Sequence, residues 1–123
     1  MAQIQNSKHY DLEDRTYKFA KECRDLSLKI SKNFASLEYA RQLIRSSSST
    51  AANYIEANEA ISRKDFVHRI KICRKEARES KLWLNLISIK PDSGFTSKQN
   101  GLVQESIELQ KIFGAIIEKC KKD

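Results

Sequence analysis

The chain has 123 residues, of which 40% are hydrophobic and 32% charged, with 23 Lys/Arg against 16 Asp/Glu for a formal net charge of +7. That length suits one domain built around one core over residues 1–123. Three Gly and one Pro leave too little punctuation for a many-turned sheet, so long helices are favoured. No apolar run approaches the roughly 18 residues of a membrane span, and MAQIQNSKHYDLEDR lacks the apolar centre of a secretory signal. The expected location is the cytoplasm, without membrane association.

Residues 1–10 are polar and aperiodic and are read as a loose leader. From Asp11 a rhythm begins. Leu12, Thr16, Phe19, Cys23, Leu26 and Ile30 alternate steps of four and three, the spacing of one apolar stripe on a helix that packs nearly parallel to its neighbours. Asp11 and Asp14 suit the positive end of that helix, which is predicted to run to about Asn33.

Ser36 is the expected cap of a second helix, with Leu37, Ala40, Ile44, Ser47, Ala51, Tyr54 and Asn58 in the same rhythm. Propensity alone would make the serine run at 46–49 a linker. The stripe keeps phase on both sides of it, however, and small side chains let a neighbouring helix approach, so the run is predicted to be a helical contact surface. Ser62-Arg63-Lys64-Asp65 has the pattern of a capping box. The second helix should therefore stop near Ala60 and a third begin.

On that third helix Phe66, Ile70, Cys73, Ala77, Ser80, Leu84 and Ile87 form the packing stripe. At about 100° per residue, Lys64, Lys71, Arg74, Lys75, Arg78 and Lys81 fall roughly opposite it. Residues 62–90 hold nine Lys/Arg against three Asp/Glu, and so carry six of the seven excess charges. Lys90-Pro91-Asp92-Ser93-Gly94 is a strong stop. A last helix, starting between Thr96 and Gly101, places Leu102, Ser106, Leu109, Phe113, Ile116 and Cys120 in the rhythm, with Lys119, Lys121 and Lys122 at its negative end. Four such stripes joined by short connections predict an all-α, up-down-up-down antiparallel four-helix bundle.

Apolar residues remain beyond the stripes: Ile72 and Trp83 on the flank of the third helix, beside Glu76 and Glu79, and Val103, Ile112 and Ile117 on the fourth. They form either an oligomer surface or the edge of a broad core stripe. The concentrated cations suit a polyanion such as nucleic acid; the plainer reading is a solvated helix face.

Motifs for chemistry are sparse. Cys23, Cys73 and Cys120 fall on apolar stripes and read as reduced thiols. Arg63-x4-His68 has the spacing of a nuclease motif, but it opens a helix and Lys64 follows its arginine, an atypical context. Glu56 with Glu59, and Glu76 with Glu79, lack the Glu-x-x-His of a di-iron bundle and are read as lying off the core stripes. No catalytic residue, cofactor, metal or small-molecule substrate is expected.

Tyr39-Ala40-Arg41-Gln42-Leu43, Ser48-Ser49-Thr50-Ala51-Ala52-Asn53-Tyr54-Ile55-Glu56, Ser62-Arg63-Lys64-Asp65-Phe66 and Ala77-Arg78-Glu79-Ser80 together resemble the signature of the four-helix-bundle proteins encoded in intervening sequences of bacterial 23S ribosomal RNA genes. The resemblance covers about Asp11 to Cys120. Ala57 departs from it, standing where many relatives have glycine, so the second helix is expected to run slightly longer. The family is similar in fold to the accessory protein of diversity-generating retroelements. That similarity implies a homo-oligomer, plausibly a pentamer, that binds RNA or DNA without performing chemistry. The competing expectation is a structural adaptor for a protein partner, such as a reverse-transcriptase accessory, with the cations serving solubility.

Overall fold

The computed structural model describes residues 11–30, 32–87 and 94–121. Four helices follow one another: α1 Leu12–Ser27, α2 Phe34–Asn58, α3 Arg63–Leu86 and α4 Phe95–Lys121. Each packs on its neighbours in sequence and α4 returns beside α1, which gives the all-α four-helix bundle that the stripes predict. The leader at 1–10 and most of the stop at 90–94 lie outside the described residues. Gly94 is described, with φ of 77°, a left-handed conformation that glycine adopts without a Cβ penalty, just before α4 starts.

α1 ends earlier than its stripe suggests. Asn33 turns extended and its side chain accepts the Ser36 N–H at 2.9 Å, so it caps α2 in place of Ser36. With a cap needed at 33, the chain leaves the helix at Ser27, and Leu28 and Lys29 donate to Arg24 and Leu26 in a closing turn. Ile30 still reaches the core. At the other end of α2 the helix stops at Asn58, two residues short of Ala60, with Ala57 fully buried. Ser62 caps α3 as expected, its hydroxyl accepting the Asp65 N–H at 3.1 Å.

The α2 stripe is turned relative to the sequence reading. Ser36, Ala40, Leu43, Ser46, Ser47, Thr50 and Ala57 face inward, while Leu37 and Ile44 are 52% and 38% exposed. The serine run is helical and forms a contact surface, but hydrophobicity misplaced its centre. Close approach won: Ser46, Ser47 and Thr50 are wholly buried, and the Ser46 and Ser80 hydroxyls share a 2.7 Å hydrogen bond between α2 and α3. Their remaining polarity is satisfied locally. Ser80 donates to Glu76 O at 2.9 Å and Thr50 to Ser46 O at 2.9 Å, bonds within one helix that let hydroxyls enter a core.

The α3 stripe is buried as predicted, from Ile70 through Leu84, with Phe66 partly buried against it. On α4, Leu102, Ser106, Leu109 and Phe113 are buried, and Ile117 takes the inward position expected of Ile116. Gln99 ties the start of α4 to the end of α3 by donating to Leu84 O at 2.6 Å and Ile87 O at 3.1 Å. Arg15 closes the ring, forking onto Glu105 at 2.6 and 2.9 Å; that carboxylate raises the guanidinium pKa.

Cys23 and Cys73 are buried free thiols and Cys120 is half-buried. Burial pushes the pKa of both Cys23 and Cys73 from 9.0 up to about 12. Unfolded thiols lose their protons near pH 9 while these keep theirs, so stability should fall as pH rises from about 9 towards 12. At pH 8 a thiol reagent should label Cys120 first and the other two only as the bundle opens; equal labelling of all three would contradict the burial. The close α2–α3 contact makes a second prediction. Ser80→Ala should cost about 1 kcal/mol for the lost hydrogen bond, and Ser80→Leu about 1–3 kcal/mol more because there is no room for it, read from urea unfolding midpoints.

Candidate nucleic-acid interface

The cationic face is set by how α3 sits between α2 and α4. Its α2 side carries Arg69, Glu76 and Trp83, each engaged with α2. Arg69 donates to Asn53 at 3.0 Å, Arg45 bonds Glu76 at 3.5 Å and Glu79 at 3.0 Å, and Trp83 stacks on Tyr39 with ring centroids 6.0 Å apart. Both glutamates of α3 are thus drawn towards α2. Glu76 is buried, against the expectation that it lies off the core, and the exposed Arg45 of α2 reaches over to pair with it.

The six predicted cations lie on the outward face and turn towards α4. Lys64, Lys71, Arg74, Lys75 and Arg78 are exposed and Lys81 is half-buried. Among the described residues none of the six makes an ion pair, whereas Arg15, Lys18, Arg24, Arg41, Arg45 and Lys121 all do. Like charges left side by side in this way raise the local positive potential.

The structure adds residues that the sequence did not single out. Arg63 donates to Cys120 O at 3.3 Å, which brings the start of α3 against the end of α4. With Gln99 fixing the opposite ends, the antiparallel alignment sets exposed Lys111 of α4 nearly level with Arg74. Arg74 lies over Gly114, its Nη1 3.9 Å from where a Cβ would stand. Arg74 therefore reaches across the α3–α4 seam, with Lys111 exposed at about the same height on α4. No signal along one helix reveals this, because it depends on which helix is the neighbour.

The apolar flank is divided. Ile117 is 2% exposed and belongs to the core; Trp83, Val103 and Ile112 are partly buried against it, and Ile72 is half-buried. These residues mainly complete a broad core. Trp83 Nε1 is buried without an acceptor. The exposed apolar residues among those described are instead Leu37, Ile44 and Ile55 along α2, Tyr17 of α1, Leu82 and Leu86 of α3, and Leu28, Phe34 and Ile61 at or beside the connections. Hydrophobicity could not separate these from core positions, since both kinds share the helical spacing.

Nothing gathers Arg63 and His68 into a nuclease pair. Five residues apart, they point about 140° apart around the helix, Arg63 towards the last turn of α4 and His68 to solvent. Among the described residues no three His, Cys, Asp or Glu side chains cluster as a metal site requires, and no helix is long and apolar enough to cross a membrane.

Fold and surface together define a four-helix bundle whose third helix packs with one face and presents cations with the other. The chain belongs to the family of 23S rRNA-intervening sequence proteins, whose family model matches residues 8–115. A solved structure from Bacteroides thetaiotaomicron VPI-5482, described as a protein of unknown function from the S23 ribosomal protein family, is similar with a TM-score of 0.69. It is 28% identical, and the match covers 86% of this chain and 97% of that one. No curated protein matches the chain significantly.

The two glycines inside α4 invite a simple test. An added Cβ meets nothing within 4 Å at Gly101 and makes only an ordinary contact with the tip of Arg74 at Gly114. Gly101→Ala and Gly114→Ala should each stabilise the bundle by about 0.5–1 kcal/mol through helix propensity, measured by thermal or urea unfolding. A loss of stability at Gly114 would mean that the seam is tighter than described.

Proposed function

We propose that this protein is a non-enzymatic, basic homo-oligomer that binds RNA or DNA electrostatically through α3. The observation that carries the proposal is the cationic row itself: six Lys/Arg on one outward face, none in an ion pair among the described residues, while both α3 glutamates are engaged by Arg45 from the other side. Binding would work by cations replacing the counterions of phosphates. The family's connection with ribosomal RNA genes supports a nucleic-acid setting, and the resemblance to the accessory protein of diversity-generating retroelements is our ground for proposing a pentameric ring. An assembly would repeat the row and raise avidity beyond what one helix gives.

A second reading, an adaptor holding a protein partner, draws on Leu37, Ile44 and Ile55, an exposed apolar line along α2. The same line also suits contact between copies.

The two readings part on one set of variants. Lys71→Glu, Lys75→Glu and Arg78→Glu together should abolish nucleic-acid retention on a heparin or nucleic-acid column with particle mass unchanged. Ile44→Glu with Ile55→Glu should lower particle mass by light scattering. Retention that survives the triple reversal would defeat the electrostatic proposal, and a wild-type protein that runs as a monomer would defeat the assembly.

A further inference from the structure

We infer that the polyanion taken by the α3 face is a double helix held from one side through its phosphates, rather than a single strand threaded along the protein. This rests on the nucleic-acid reading above and adds the strandedness of the ligand.

Rigidity is the first ground. Lys64 to Lys81 lie on one uninterrupted helix, α3, and span about 26 Å along its axis. The helix fixes where the cations start from. A duplex is similarly stiff and presents about one charge per 1.7 Å of axis, so a segment of that length offers about 15 phosphates already in place. A single strand presents roughly half that density and must be ordered before it can match the row.

Stacking is the second ground. Proteins that hold single strands offset the ordering cost by stacking bases on exposed aromatic rings. The aromatic side chains of α3 are turned away from the cations: Phe66 packs against the core, and Trp83 is stacked on Tyr39 with its Nε1 buried. On α4, Phe113 is fully buried and Phe95 lies under Lys29 at 5.4 Å. Among the described residues the exposed rings, Tyr17 and Phe34, belong to α1 and the start of α2. A base pair keeps its bases stacked and needs no such platform.

Shape is the third. The large groove, about 740 Å³, runs along the α1–α4 seam, where Arg15, Lys18, Lys29 and Lys98 share the lining with Glu22, Asp25 and Glu105, rather than along the α3 cations. A smaller hollow of about 320 Å³, lined by Arg63, Phe66, Lys119 and Cys120, sits at the end of the row and is no path along it. The row itself is convex. Arg74, itself one of the row, reaches across the seam over Gly114, and α4 adds one exposed cation, Lys111, at about that level. A convex row of cations seats against the outside of a stiff duplex, whereas a single strand is held in a groove that tracks its backbone.

The test is fluorescence anisotropy with the full-length protein and four probes of about 25 units, namely duplex DNA, duplex RNA, oligo-dT and an unstructured single-stranded RNA, across a salt series. Both duplexes should bind at least about tenfold more tightly than the single strands, with a log–log salt slope near −4 or steeper. Arg74→Glu with Lys111→Glu should weaken duplex binding by a factor of about ten or more and make the salt slope shallower, with circular dichroism and particle mass unchanged. Single strands bound as tightly as duplexes, or more tightly, overturn the inference while leaving nucleic-acid binding intact. Failure of all four probes at low salt removes the nucleic-acid reading itself, and this inference with it.

Discussion

The bundle depends on how closely α2 and α3 approach. Where Ser46 meets Ser80 and Thr50 meets Cys73, the interface consists of small side chains, and their polar atoms bond to each other or to backbone carbonyls. A wider interface filled by leucines would have satisfied hydrophobicity equally well. The small residues instead set the rotation of α2 and push Leu37, Ile44 and Ile55 outward. That rotation in turn fixes where Arg45 and Tyr39 meet α3.

From this contact follows the sorting of charge on α3. Arg45 reaches across to Glu76 and Glu79, so both glutamates of the helix are engaged on its α2 side. Burying Glu76 would be costly without a cation beside it and a hydroxyl-lined neighbourhood. The outward and α4-facing side is left with the six cations, none of them in an ion pair among the described residues, and α4 sets Gly114 beneath Arg74. Glu105 and Glu118 are engaged elsewhere, by Arg15 and Lys121. The same helix thus separates a packing role from a charge-presenting role by rotation about its own axis.

Much of this was legible in the sequence, and the errors have physical causes. The α3 stripe and its Ser62 cap could be read because large apolar residues and a capping hydroxyl act locally. The end of α1 was set too late because Ile30 keeps the rhythm although the chain has already left the helix to let Asn33 cap α2. Ile116 and Ile117 are adjacent and equally apolar, so only packing against neighbours chose Ile117 for the core. For Trp83 the choice between an oligomer surface and the edge of a core stripe stayed open in the sequence, because its stacking partner Tyr39 lies 44 positions earlier in the chain.

The sequence by itself determined that the chain forms four amphipathic helices in a bundle and that its excess charge sits on the third, because periodicity, capping and local charge are properties of neighbouring residues. Which edge of α2 faces inward, which glutamates lose their exposure, and that Arg74 reaches across a seam to lie over Gly114 were decided by tertiary structure. These depend on the distance between helix axes and on which side chains meet there, and residues far apart in the chain fix both only once the helices have packed.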